Sequence, residues 1–358
     1  MVQVKKIEIF GTSFLLGCLT GYLFLPVPGS LLHCTTFLLF CCLAAVPLLK
    51  GHKSISPLLL FCMICLCGCL CIFRGACSGL GILTEGPRDS GAYRLFSQAI
   101  DRLGFRNSGT TALVKALLLG DKSGLSAEVV QNFRKSGASH ILALSGLHLG
   151  LVYGLISLIL RILGNSPPSR IIRSATSVGF CLFYCIMVGA APSVSRAMIF
   201  VLLREYGKLS RRCTDLRNLL WASFVLHICI APRDFSGLGF QMSYLAVAGI
   251  AYLFPLLKSF YPEGGLKYSP MKKIWESAAL SISCQASTWP LARLRFGSTP
   301  GCFMLTNLIC LPLTALVIPG ALILTLMSLA GLVWEPSVRL LESMTGLLLR
   351  SLEIIALI

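Results

Sequence analysis

Residues 109–153, GTTALVKALLLGDKSGLSAEVVQNFRKSGASHILALSGLHLGLVY, decide how this chain is read. A polar, capped helical run passes without a linker into an apolar span. That span carries His140, Ser145 and His148, with Gly146, Gly150 and Gly154, where plain leucine would serve. In the run before it, Leu113, Leu117, Val129, Val130 and Phe133 stand among Lys115, Asp121, Lys122, Glu128, Arg134 and Lys135. So charged a segment is expected to lie along a membrane surface as an amphipathic element rather than to cross. Its Gly120-Asp-Lys-Ser-Gly124 centre predicts a break into two helices, with Ser126 as the N-cap of the second.

Outward from that stretch the chain is apolar. Of its 358 residues, 55% are hydrophobic and 13% charged, with a mean hydropathy of +0.81, far outside the range of soluble domains. A crossing helix needs ~20 apolar residues, and such runs recur at 7–25, 31–49, 57–73, 141–163, 174–191, 219–231, 238–257, 278–291 and 302–334. The last reads as two shorter spans broken near Pro319 and Gly320, and 338–358 adds another. The expectation is an all-α, polytopic membrane bundle of about ten or eleven transmembrane helices. The first run exceeds a signal-peptide core and has no separate small-residue cleavage site, so it reads as a retained anchor. Residues 74–108 show mixed charge and no sustained apolar period, and at about 35 residues are too few for an independent domain. The chain therefore divides into a three-helix membrane region at 1–73, an extracytoplasmic loop at 74–108 and a membrane domain at 109–358.

Orientation follows from where Lys and Arg fall between spans. Lys5, Lys6, Lys50, Lys53, Arg161, Arg170 and Arg173 all lie inside the cell if the N-terminus does. So do Arg204, Lys208, Arg211, Arg212 and Arg217, then Lys258, Lys267, Lys272 and Lys273, provided the chain turns tightly near Pro192. This inside bias accounts for much of the formal charge of +17. Arg196, Arg293 and Arg295 are the remainder. Arg196 stands in APSVSRAMIF at the start of a span. At membrane depth an arginine costs at least ~2.5 kcal/mol and marks function, whereas at the interface it merely snorkels. Cysteine is abundant at 17, but Cys65, Cys67, Cys69 and Cys71 would follow one another ~200° apart around a helix. They read as small hydrophobes rather than ligands of one metal.

On a helix starting near Ser139, Gly146, Gly150 and Gly154 fall within an arc of about 80°, a small-xxx-small face for helix packing. His140, Ser145 and His148 occupy a different arc, about 140° wide. That face either bonds neighbouring helices or lines a polar cavity. Ser145 and His148, three residues apart, also raise an intramembrane serine hydrolase, but no recognisable oxyanion hole accompanies them. Further on, DFSGLGFQMSYLA carries Gln241, Ser243 and Tyr244 into a span, QASTWPLARLRF ends at Arg293 and Arg295, and Asn307 and Pro312 interrupt another span. A nucleotide phosphate loop is absent, because Gly120-Asp-Lys-Ser lacks the required glycine spacing. No His-x-His-x-Asp-His signature or zinc-finger cysteine pairing occurs either. The expectation is a non-enzymatic conduit, passive or driven from outside, without metal or cofactor.

The block ALLLGDKSGLSAEVVQNFRKSGASHILALSGLHLGLVYG resembles the opening signature of the competence domain of the ComEC family, the inner-membrane channel for DNA uptake in natural transformation. APSVSRAMIF, DFSGLGFQMSYLAVAGI and QASTWPLARLRFGS, followed by Asn307 and Pro312, agree with that family in order. Full-length members add an OB-type domain and a metallo-β-lactamase-like domain. Here 74–108 is too short for the first and the sequence stops at Ile358 without the second, so no nuclease activity is carried over. The resemblance implies that 109–358 is a membrane channel domain passing single-stranded DNA from periplasm to cytoplasm. The implied partners are membrane lipid, a periplasmic DNA receptor and a cytoplasmic DNA motor on separate chains, with oligomeric state left open. Lys115, Arg196, Arg293 and Arg295 would meet phosphates, with Lys115 on the surface element at the pore's outer mouth. His140, Ser145, His148, Gln241, Ser243 and Asn307 would line the path, and Phe240 and Tyr244 would stack on bases unless they pack the core. The alternatives are a transporter of another anionic solute, lipid or nucleotide and, more remotely, the Ser145–His148 hydrolase.

Overall fold

The computed structural model describes residues 2–23, 64–72, 90–164, 166–211, 215–261, 270–296 and 303–357. The helices are α1 (Val2–Leu23), α2 (64–72), α3 (Gly91–Asp101), α4 (Ser108–Leu119), α5 (Ala127–Lys135), α6 (Ser139–Leu142) and α7 (Gly146–Ile159). They continue with α8 (Pro167–Met187), α9 (Pro192–Leu209), α10 (Leu216–Ile230), α11 (Leu238–Ser259), α12 (Pro270–Phe296), α13 (Phe303–Leu329) and α14 (Glu335–Ala356). Short 3₁₀ turns at Leu160–Leu163 and Pro232–Ser236 join some of them, and there is no strand among the described residues. The protein is an all-α membrane helix bundle.

Four helices among the described residues are long and apolar enough to cross a bilayer: Gly146–Leu163, Pro167–Met187, Leu238–Ser259 and Met304–Leu329. The expected span at 31–49 lies outside the described residues, and of 57–73 only the α2 portion is described. Apolar stretches at Ile7–Thr20 and Leu216–Ile230 are shorter. The expected span at 338–358 falls in α14, which does not meet that standard. It buries Val338, Leu341, Thr345, Leu348, Leu352 and Ile355 along one face and carries Arg339, Glu342, Arg350 and Glu353 elsewhere.

Three local expectations are corrected. The run at 302–334 forms one helix, α13, rather than two, although Pro312 and Pro319 lie inside it. Each proline removes one helical hydrogen bond, whereas ending a helix exposes four N–H and four C=O groups that lipid cannot satisfy. Residues 91–101, expected as loop, form α3, capped where Ser90 Oγ accepts from Tyr93 N–H at 3.2 Å. Its buried Phe96, Ala99 and Ile100 had the helical spacing that Arg94, Asp101 and Arg102 obscured. The run at 109–135 does divide at Gly120, and Ser126 caps the second helix through Val129 N–H. Of its two halves α5 is the amphipathic surface piece, burying Phe133, while α4 is core, burying Ala112, Leu113, Val114 and Ala116 to Leu119.

The chain forms two compact units. One comprises Met1–Leu83 and Leu202–Tyr244. Within it α1 packs on α10, and Gly17 and Gly68 let α1 and α2 touch, since a Cβ at either would lie on the facing backbone at Cys65 or Phe14. The other comprises Thr84–Val201 and Leu245–Ile358. There α13 contacts α3, α4, α7, α12 and α14. In lipid no hydrophobic force drives helices together, so close packing and hydrogen bonds must hold them. Thr306 Oγ1 donates to Ser136 O at 2.6 Å near one end of α13, and Ser328 Oγ to Ala99 O at 2.9 Å near the other. Gly249 lets α11 meet α12, because Ser283 O and Ser287 Oγ occupy the place of a Cβ.

At the start of α4, Asn107 N–H donates to Glu342 Oε1 at 2.9 Å, while Arg339 Nη1 lies 3.1 Å from Glu342 Oε2. Partial burial opposes ionisation of Glu342, but the Asn107 N–H and the Arg339 guanidinium together outweigh it and hold the carboxyl below its usual value. A depressed carboxylate pKa contributes stability above the unfolded-state value and loses it as pH falls through the folded-state value. In acid thermal unfolding, Glu342→Gln should therefore show a shallower loss of midpoint than the parent protein; identical slopes would remove this tie from the account.

Candidate functional site

In the second unit, polar side chains from separate segments gather at the interruption between α6 and α7. The helix expected from Ser139 onward is broken: α6 ends at Leu142, Ala143 is extended, and α7 begins at Gly146 with Ser145 as its N-cap. Ser145 is thus an end group rather than part of a helical wall. Its Oγ accepts from Leu147 N–H at 3.3 Å, and His148 Nδ1 accepts from Ser145 N–H at 3.2 Å. This is a capping box with histidine in the position usually held by Glu or Gln.

The turn before α9 closes over this break. Gly189 (φ 85°) and Ala190 (φ 47°) reverse the chain after α8, giving the tight turn expected near Pro192. Ser195 Oγ donates to Ala190 O at 2.8 Å, and Ser193 Oγ donates to Leu144 O at 2.7 Å. The buried Arg196 lies against Gly146, where a Cβ would come 2.9 Å from Nη2. Its guanidinium also lies 5.6 Å from the Phe200 ring centroid, within cation–π range. On the other side, Gly120 (φ 74°) leaves room for Leu144, whose Cδ1 would lie 2.5 Å from a Cβ there. Three separated sequence blocks, at Gly120, at Ala143–Gly146 and at Ser193–Arg196, thus meet at one interruption.

His140 lies on α6, just before the break, and Asn307 on α13, which packs against α7. His140 Nδ1 donates to Gly137 O at 3.1 Å. Thr306, beside Asn307, bonds Ser136. The expected division of α7 is reversed. His148, Leu149, Val152 and Tyr153 form its buried face, whereas Gly150 and Gly154 are exposed, with nothing among the described residues within 4 Å of a Cβ. Gly146 alone of the three makes a close approach.

The other expected site residues lie elsewhere. Lys115 pairs with Asp101 at 2.8 Å, tying α4 to α3. Arg293 and Arg295 are exposed in the last turn of α12. In the first unit, Gln241 Nε2 donates to Phe235 O at 3.0 Å, and Ser243 is half-buried. Phe240 and Tyr244 are buried, their ring centroids 4.5 Å apart, in a cluster with Phe224, Phe235 and His227. In this arrangement they pack the core and leave no ring face for a base. That cluster holds a pair missed in the sequence: His227 Nε2 lies 3.0 Å from Asp234 Oδ2, and Tyr244 Oη donates to Ser223 O at 3.0 Å, 3.4 Å from His227 Nδ1. Histidine and aspartate flanking Pro232 were the available signal.

Ser145 Oγ and His148 Nδ1 are 3.1 Å apart, within reach for a nucleophile and base. Both atoms, however, are engaged by backbone N–H groups, and His148 Nε2 has no carboxylate to orient it. The pair reads as a helix cap.

A sequence profile described as "Competence protein" matches residues 117–358. The chain is 26% identical over 238 residues to ComE operon protein 3 of Bacillus subtilis, covering 64% of this chain and 28% of that one. It is 26% identical over 226 residues to competence protein ComA of Neisseria gonorrhoeae, covering 59% and 30%, and 28% identical over 246 residues to an uncharacterized protein of Aquifex aeolicus, covering 68% and 53%. The chain thus spans about three tenths of the length of the two competence relatives. No solved structure matches it.

The packing at the interruption sets different fates for its glycines. Gly150→Ala should raise the thermal midpoint in detergent, since helical glycine costs roughly 0.5–1 kcal/mol against alanine. Gly146→Val should lower it by overpacking against Arg196, at about 1–3 kcal/mol. Ser193→Ala should cost about 1–3 kcal/mol by orphaning the Leu144 carbonyl. Equal midpoints for Gly150→Ala and Gly146→Val would show that α7 is oriented differently.

Proposed function

The chain belongs to the competence protein family, and from that premise we propose that it is the membrane conduit through which single-stranded DNA passes into the cytoplasm. The observation that carries this reading is the meeting of the Ser-Gly-Leu-His block and the Pro-Ser-Val-Ser-Arg block at a helix break inside an apolar bundle. Broken helices are tolerated at membrane depth where they are buried in protein or line a cavity. Such breaks bring backbone dipoles and polar side chains to a passing solute. A buried arginine beside that break adds positive charge where a polyanion would be drawn.

In this reading Arg293 and Arg295, exposed in the last turn of α12, attract phosphates, and the polar groups around the α6–α7 break ease the strand through. The protein lies in the inner membrane as a multi-pass chain with its N-terminus in the cytoplasm, the orientation favoured by its basic loops. It works as transport machinery without chemistry of its own, receiving DNA from an external receptor and yielding it to a cytoplasmic motor on separate chains. The alternative is a carrier of a smaller anion, lipid or nucleotide, which the same basic residues would serve.

Deleting the gene from its host should abolish import of labelled DNA into the cytoplasm while leaving surface uptake intact; undiminished import would overturn the proposal. With purified protein, single-strand affinity should fall steeply with salt, with a log–log slope of about −0.7 for each phosphate neutralised. The double variant Arg293→Gln, Arg295→Gln should reduce the magnitude of that slope by roughly 1.4. A small-anion carrier would instead bind mononucleotide and long strands with the same shallow slope.

A further inference from the structure

Among the side-chain polar atoms of the second unit that are sealed from solvent without a hydrogen-bond partner are His148 Nε2 on α7 and Asn307 Oδ1 on α13, with Arg339 Nε on α14 a third. His148 is 0% exposed. Because its Nδ1 receives the Ser145 N–H, the neutral ring carries its proton on Nε2. The first atom is therefore a buried donor and the second a buried acceptor. Left orphaned, each forfeits the hydrogen bonds it would make in water.

The two atoms sit on helices that pack against each other, each within the first two turns of its helix. Thr306, next to Asn307, donates to Ser136 O at 2.6 Å, which ties the start of α13 to the end of α5, the element that leads through α6 to α7. The chain leads from Ser136 through α6 to the start of α7.

We propose that His148 and Asn307 form a seat for a small hydrogen-bonding guest, water, which accepts from Nε2–H and donates to Oδ1, and that this seat is where the water of the conduit reaches the α7–α13 seam. A buried water makes two to four hydrogen bonds, and these two groups supply one donor and one acceptor to it. The remaining hydrogen and lone pair point onward along the seam. His148 thereby has two tasks on its two nitrogens: Nδ1 caps α7, and Nε2 holds the wet side of the helix. This inference rests on the conduit reading for its functional part, and not for the seat itself.

The seat is tested by labelling Asn307→Cys in the full-length protein with a small, charged, water-soluble methanethiosulfonate, each labelled thiol being located by peptide mass. Cys310, 0% exposed and three residues further along α13, is the internal control. The thiol at 307 should react at least tenfold faster than Cys310; equal rates would overturn the seat. The functional part is tested by DNA import. Asn307→Leu, which removes the acceptor, keeps the volume and leaves the His148 cap of α7 in place, should lower import at least tenfold without lowering the thermal midpoint. Asn307→Ser, which restores a polar group there, should recover at least fivefold of that loss. If the two variants behave alike, the seat takes no part in transport. Should the parent protein import no DNA, the conduit reading fails, and the labelling ratio still decides the seat.

Discussion

An apolar bundle cannot leave a backbone N–H or C=O unpaired, and every feature around the α6–α7 interruption follows from that constraint. Breaking a helix at Ala143–Ser145 frees groups that lipid will not solvate. Ser145 and His148 satisfy the donors at the start of α7, and Ser193 satisfies the carbonyl of Leu144. The Ser193 contact holds the start of α9 against the break, which in turn brings Arg196 onto Gly146. Had the span been continuous, none of these polar residues would have had work to do. Their presence in an otherwise leucine-rich run is the chemical signature of a helix that stops and restarts.

The same constraint explains why α13 does not stop. Its two prolines each remove a single hydrogen bond, less than a terminus would expose. The helix instead uses threonines turned back on their own carbonyls, Thr314 to Cys310 and Thr325 to Ala321, and serine and threonine bonds to neighbouring chain segments near its ends. It can then contact five other helices of its unit. Small hydroxyl side chains suit this place because they are short enough for close packing and carry their own hydrogen-bond partner.

Glycine and aromatic residues show how far a pattern can mislead. The periodicity of Gly146, Gly150 and Gly154 was legible, but periodicity states which residues share a face and not what that face meets. His148 faces inward, and of the three glycines Gly150 and Gly154 face out. Phe240 and Tyr244 were legible as aromatic, yet five rings and a histidine fold onto each other and leave no open surface. Lys115 was legible as a charge in a membrane-adjacent helix, and an aspartate from the preceding helix claims it. In each case a partner distant in sequence decided the outcome.

By itself the sequence determined the helical, membrane-embedded class of the protein, the break at Gly120, the Ser126 cap, the turn before Pro192 and the family to which the chain belongs. These rest on composition, on local cap chemistry and on runs of residues whose meaning is contained in a few neighbouring positions. Tertiary structure alone decided that the span after Ser139 is interrupted, that α4 is core, that Arg196 lies on Gly146, and that His148 Nε2 and Asn307 Oδ1 are sealed from solvent without partners. Those outcomes depend on which groups meet across the fold, and a hydrogen bond or close contact between residues far apart in sequence leaves no period or spacing in either segment from which it can be read.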